Sequence, residues 1–286
     1  MDADRTVPPV LSSELLGFPA GARVLIVNAD DVGMYHAVNA AVVESVEVGI
    51  ASSCSLMVPC PWASHAMHLL RERPEIPFGI HLTLVCDTIH YRWEPLTNKD
   101  RVSSPLADGG ELHTPAQVPQ LRAKARIDEG ELEFRAQIHA VLDAGLTPTH
   151  LDWHCLADGG RDDIFDLTMA IAGEYGLAVR VWLRPRRETL RERGIPVVDH
   201  DFLDSFRLDV EGKSAQYAAL LRDLPVGLTE WAVHPGFGND EARAIDPGRQ
   251  VRGTDHEFLT LQWARELLHQ EEITVIDYRT LQRAWS

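Results

Sequence analysis

The feature that most constrains this chain is a repeated alternation of short apolar runs with stretches of helical period. Residues 23–29 (RVLIVNA) form a run of strand length, and 35–48 follows with Val38, Ala41, Val42 and Ser45 at helical spacing. The pairing recurs: 53–58, 78–85, 148–153, 177–183, 228–234 and 273–276 read as strands, and 62–71, 122–144, 162–175, 214–224 and 256–269 as helices. In 122–144 the side chains of Phe134, Ile138, Val141 and Leu142 share one face, and Gly145 supplies a stop. Segment 186–209 fits neither period. Segment 88–119, with Pro, Gly and Asp throughout, reads as a long loop excursion of the kind that is usually functional or mobile. Strands alternating with helices imply a mainly parallel α/β sheet with helices outside it. About seven strands in 286 residues favour a closed or nearly closed barrel in a single domain, 1–286, over an open sheet.

Charge removes whole classes of partner. The chain has 27 Lys and Arg against 43 Asp and Glu, a net −16, and a surface this acidic repels phosphate. Neither nucleic acid nor a membrane is an expected partner, and no apolar run approaches the roughly 18 residues that a span requires. Residues 1–19 lack a basic region followed by an apolar one, so no secretory leader is expected. Cys54, Cys60, Cys86 and Cys155 form no CxxC pair, which argues against a zinc ribbon or redox motif. Reduced thiols fit a cytoplasmic location, and without an activating motif the cysteines are expected to be buried and inert.

In either architecture functional groups gather at the C-terminal ends of strands. Several strands here carry His, Asp or Arg near that end: Asp30 and Asp31, then His81, then His150, Asp152 and His154, then Arg180, then His234. Adjacent carboxylates after a buried strand are costly unless cations or hydrogen bonds satisfy them; the structural alternative is a turn and N-cap ahead of the next helix. His81 between Ile80 and Leu82 could equally be a hydrogen-bonded core histidine. Residues 150, 152 and 154 point to one face of a strand, either a site or a solvated edge. Asp31, His81 and His150 together would make an Asp-His-His set suited to a divalent ion with open positions.

The segments VNADDVG, SLMVPCPWASHA, FGIHLTL, PTHLDWH and AVHPG, in this order over about residues 23–276, resemble the YdjC-like carbohydrate deacetylase family, relatives of the polysaccharide deacetylases. The resemblance implies a deformed (β/α) barrel and a metal-dependent hydrolase that removes N-acetyl groups from amino sugars or short chitooligosaccharides. It implies Asp31, His81 and His150 as ligands of one divalent ion, magnesium or zinc. It also implies Asp30 as the acid–base aspartate, His234 as general acid and Arg180 as the partner of Asp30. Asp152, His154 and Trp93 are further candidates beside the ligands or the sugar, with Trp93 the stacking candidate in the excursion. Trp153, pointing away from Asp152 and His154, is expected to pack behind the barrel wall. The chain departs from the family pattern at Val32, where phenylalanine is common, and at Trp153, Cys155, Leu156 and Ala157, where the usual serine and further histidines are absent. The implied partner is a small N-acetylated sugar, and a homodimer is compatible with the sequence. Rival readings are a non-catalytic sugar- or metal-binding module, a phospho-receiver domain, or a metal hydrolase for another amide or ester. The receiver would have no use for His81 and His150.

Overall fold

The computed structural model describes residues 10–285. Residues 1–9 and 286, which belong to the expected 1–286 domain and in part to the leader argument, lie outside the described residues. Eight strands form among the described residues: β1 (Arg23–Val32), β2 (Ser53–Leu56), β3 (Phe78–Leu82), β4 (His150–Trp153), β5 (Ala178–Val179), β6 (Leu203–Asp204), β7 (Gly227–Val233) and β8 (Ile273–Val275). Every ladder between them is parallel. β1 is the spine. β7 runs along one of its edges, and the other edge is shared by β8 against residues 23–25 and β2 from Asn28 onward. The full order is β5-β4-β3-β2-β1-β7-β6, curled into a half-barrel with helices around it. This is the deformed α/β barrel that the sequence implied, with one strand more. β6 lies in the segment of no readable period, since two residues are too short to show alternation. β1 reads as a continuous apolar run because nine of its ten residues are buried, as in parallel sheets covered on both faces.

The helices His36–Glu47, Ala63–Arg71, Asp162–Tyr175 and Lys213–Arg222 fall close to their expected bounds. Two expected helices are each a pair. Val118–Lys124 and Ile127–Asp143 are separated by extended Ala125, and Arg249–Thr260 and Gln262–Gln270 by extended Leu261. One or two extended residues barely disturb an apolar period, so the breaks are invisible in sequence. Helix Arg184–Glu192 has only Arg187 and Leu190 buried, too few for a stripe to be read.

The 88–119 excursion and the residues leading into it from β3 are packed down by polar side chains of the helix Ile127–Asp143. Buried Glu133 accepts the backbone N–H groups of Leu96 (3.1 Å) and Thr97 (2.9 Å), and Gln137 bonds both the N–H and the C=O of Thr83 at 3.0 Å. The Tyr91 hydroxyl donates to the Met34 carbonyl at 2.6 Å. Among the described residues no helix is long and apolar enough to cross a membrane.

The helix Arg249–Thr260 presses Phe258 into the core against Tyr217, rings stacked at 4.6 Å. The same helix carries Arg252 and Asp255 toward the strand ends. Phe258→Ala is expected to lower stability by about 3–5 kcal/mol, the usual range for truncating a buried aromatic. The check is the urea midpoint, which falls while the m-value stays constant.

Candidate active site

In a regular strand adjacent side chains face opposite sides of the sheet. Asp30 and Asp31 escape this rule because the register of β1 against β2 shifts between Ala29 and Val32, and Asp31 adopts a φ of 72°. A bulge of this kind re-aims side chains. Here it turns both carboxylates into one cavity of about 340 Å³, which His81, Asp87, Trp153, His154, Trp182 and His234 also line.

Within it, Asp31 Oδ1 lies 3.5 Å from His81 Nε2 and 3.2 Å from His154 Nδ1. One ligand atom from each of the three residues lies within 4.8 Å of the other two. That oxygen is buried without a hydrogen-bond partner, whereas Oδ2 of the same carboxylate meets Arg252 Nη1 at 2.8 Å. The far nitrogen of each ring is occupied: His81 Nδ1 by Asp152 Oδ1 at 2.8 Å, His154 Nε2 by Asp87 Oδ1 at 2.6 Å. Carboxylates orient metal-binding imidazoles in this way, leaving the near nitrogen free to coordinate. An orphaned buried oxygen facing two such nitrogens fits a divalent cation.

The carboxylates around the two imidazoles favour their protonated forms. Burial opposes charge on His81, but Asp152 and Asp30 outweigh it and push its pKa up to about 9. Burial likewise disfavours charge on His154, and the Cys155 and Asp87 side chains, with the Asp31 carboxylate nearby, raise it well above the ordinary value. Burial alone would raise the Asp31 carboxyl; Arg252, His154 and His81 hold it well below the usual range.

Asp30 stands beside this group, its Oδ2 3.9 Å from His81 Nε2. Arg180 grips it with two bonds of 2.8 Å, and Asn28 donates at 2.7 Å. The same guanidinium reaches Asp152 Oδ2 (2.9 Å) and Glu230 Oε1 (2.8 Å). Glu230 is pushed up to about 7 by burial. Asp30, His81 and Asp152 also cluster closely, but Arg180 already supplies positive charge to both of those carboxylates. His234 lines the cavity with Nδ1 2.8 Å from Ser205 Oγ, and its backbone N–H donates to Asp255 at 2.8 Å.

Of the expected Asp31, His81 and His150, the structure brings the first two together and leaves the third apart. His150 faces inward, as alternation requires, but sits too deep. His81 pairs in register with Asp152, so His150 lies two residues, roughly 7 Å, below that level. Its ring stacks on Tyr278 at 3.6 Å and bonds Ser55 Oγ at 3.2 Å. It fills space that Gly79 leaves open, where a Cβ would come within 2.4 Å of Nε2. His154 occupies the place beside Asp31 and His81.

Trp93, the expected sugar-stacking candidate, is 3% exposed, packs on Tyr91 and lies 6.4 Å from His154. Trp153 packs on Phe165 as expected, yet also contributes to the cavity wall. Cys54, Cys60 and Cys86 are buried, but Cys155 is exposed. Sequence reasoning missed Arg252, Asp87 and Asp246. Arg252 binds Asp31, Asp246 (2.6 Å) and Asp87 (3.4 Å). A faint signal existed, since Arg252 and Asp255 continue the helical stripe of Phe258 and Leu259.

Known proteins resemble this chain along its length. The family model for YdjC-like proteins matches residues 24–270. A carbohydrate deacetylase of Thermoanaerobacter pseudethanolicus is 29% identical over 91% of this chain and 99% of its own. One from Geobacillus stearothermophilus is 34% identical over 64% of this chain and 68% of its own. A crystal structure from Enterococcus faecalis, of a protein named for cellobiose-phosphate cleavage, superposes with a TM-score of 0.77 at 23% identity, covering 91% of this chain and 99% of that one. At that identity the superposition speaks for the fold alone.

His150 gives a pH test. Burial, with Arg180 nearby, depresses its pKa to about 3, against about 6.5 in an unfolded chain. The folded state therefore refuses a proton that the unfolded state takes, and stability is lost as pH falls below about 6.5 toward 3. His81 has the opposite sign and acts above pH 6.5. Between pH 6.5 and 5 the His150 contribution is about 2 kcal/mol. The metal-free His150→Phe protein, which keeps a ring against Tyr278, is expected to show a shallower acid slope than wild type in urea titrations. Parallel slopes would refute this account.

Proposed function

Because this chain belongs to the YdjC-like protein family, we propose that it is a metal-dependent carbohydrate deacetylase, a hydrolase of carbon–nitrogen bonds acting on N-acetylated amino sugars or short chitooligosaccharides. The observation that carries the metal dependence is the unpartnered Asp31 oxygen facing His81 and His154 beside a carboxylate not used as a ligand. Two imidazoles and one carboxylate suit zinc better than magnesium. Such an ion supplies polarisation of the acetamide carbonyl and acidification of water.

The chain's own residues do the rest. Arg180 and Asn28 fix Asp30, which takes the proton of the attacking water at Oδ2, its edge toward His81. As the C–N bond breaks, His234 protonates the departing amine from Nε2, its ring held by Ser205 through Nδ1. Acetate and a free amino sugar leave. Trp182 and Phe206 offer apolar faces against which a sugar ring can lie. This reading takes a small soluble sugar as substrate and the cytoplasm as its site of action. It is tested by acetate release across a panel of N-acetylated sugars.

The residue roles separate in variants. Asp30→Asn is expected to keep the cation and lose about 10²–10⁴-fold in kcat. His154→Ala is expected to lose cation and activity together, while His150→Phe keeps the cation. Elemental analysis after dialysis, paired with acetate release, checks all three. A His150→Phe protein stripped of metal beside a fully loaded His154→Ala protein would overturn the ligand assignment.

A further inference from the structure

We propose that Asp87, His154 and Cys155 form a second cation site, selective for thiophilic divalent ions such as zinc or cadmium, at the mouth of the cavity. Cys155 Sγ lies 3.3 Å from His154 Nε2, and Asp87 Oδ1 lies 2.6 Å from the same nitrogen. One ligand atom from each residue falls within 4.8 Å of the others. This nitrogen is on the far side of the ring from Nδ1, which faces Asp31, so the two sites share a histidine without sharing an atom.

Cys155 is the exposed one of the four cysteines and lines the cavity. It holds a φ of 58°, a conformation that costs a non-glycine residue free energy and that persists only where surroundings enforce it. Arg252 approaches the other oxygen of Asp87, at 3.4 Å, leaving Oδ1 to the site. A nitrogen, an oxygen and a sulfur with solvent-facing positions suit zinc or cadmium, whereas magnesium prefers oxygen. Coordination displaces the thiol proton and the Nε2 proton to solvent.

An ion here stands beside Trp153 and Asp87 on the cavity wall and draws on His154. Excess zinc should therefore inhibit. That consequence rests on the deacetylase reading; the binding does not.

The test is titration of chelator-treated protein with cadmium, read by equilibrium dialysis and by thiolate-to-metal charge-transfer absorbance. Wild type is expected to take a second equivalent, with the absorbance rising as that equivalent binds. Cys155→Ser keeps the first equivalent and loses both the second and the absorbance, and Asp87→Asn weakens the second. Absence of the band in wild type, its survival in Cys155→Ser, or loss of all cation binding in Cys155→Ser would each overturn the proposal. In the activity arm, excess zinc lowers acetate release by wild type and spares Cys155→Ser; equal inhibition of both refutes the inhibitory role. If neither protein releases acetate, the deacetylase reading fails while the cadmium titration still decides the site.

Discussion

Two buried guanidiniums hold the strand-end carboxylates in place. Arg180 binds Asp30, Asp152 and Glu230; Arg252 binds Asp31, Asp87 and Asp246. A buried charge costs several kcal/mol in lost hydration unless partners surround it, so each arginine needs its carboxylates as much as they need it. The balance is still uneven, with six carboxylates against two guanidiniums. Part of the deficit is met by Glu230, which burial pushes up to about 7, and part by protons on His81 and His154. A divalent ion among Asp31, His81 and His154 would replace those protons with a charge that does not depend on pH. The cluster thus has the electrostatic shape of a cation site because its own basic residues do not balance its acids.

The two arginines divide the work. Arg180 follows directly after β5 and takes both oxygens of Asp30, which fixes that carboxylate. Arg252 takes only one oxygen of Asp31 and leaves the other facing the imidazoles. Two neighbouring aspartates in sequence come to differ in chemistry through which oxygen each guanidinium covers.

Much of this was legible in the chain. The strand–helix alternation gave the parallel barrel, and polar residues at successive strand ends marked where the site would gather. Asp30, Asp31, His81 and His234 all line the cavity, as that reasoning expected. His150 shows its limit. Alternation tells which face a side chain takes but not how far along the barrel axis it sits, and only the pairing of His81 with Asp152 sets that depth. Arg252 and Asp87 were hidden for another reason. Each acts through partners far away in sequence, which no local pattern can name. Trp93 misled because an aromatic in a long loop suggests a binding face, whereas this loop is folded inward.

That inward folding matters to the site. Asp87 immediately precedes the excursion, and it touches both His154 and Arg252. The loop that carries it is fastened by Glu133 and Gln137, polar residues on the otherwise apolar face of the helix Ile127–Asp143. Buried carboxylate and amide groups on such a face cost free energy unless fully bonded, and here they bond the backbone of the loop and each other. The orientation of the His154 ring therefore depends on side chains one element away that never approach the cavity. A loosened excursion would free Asp87, and with it the nitrogen that turns His154 toward Asp31.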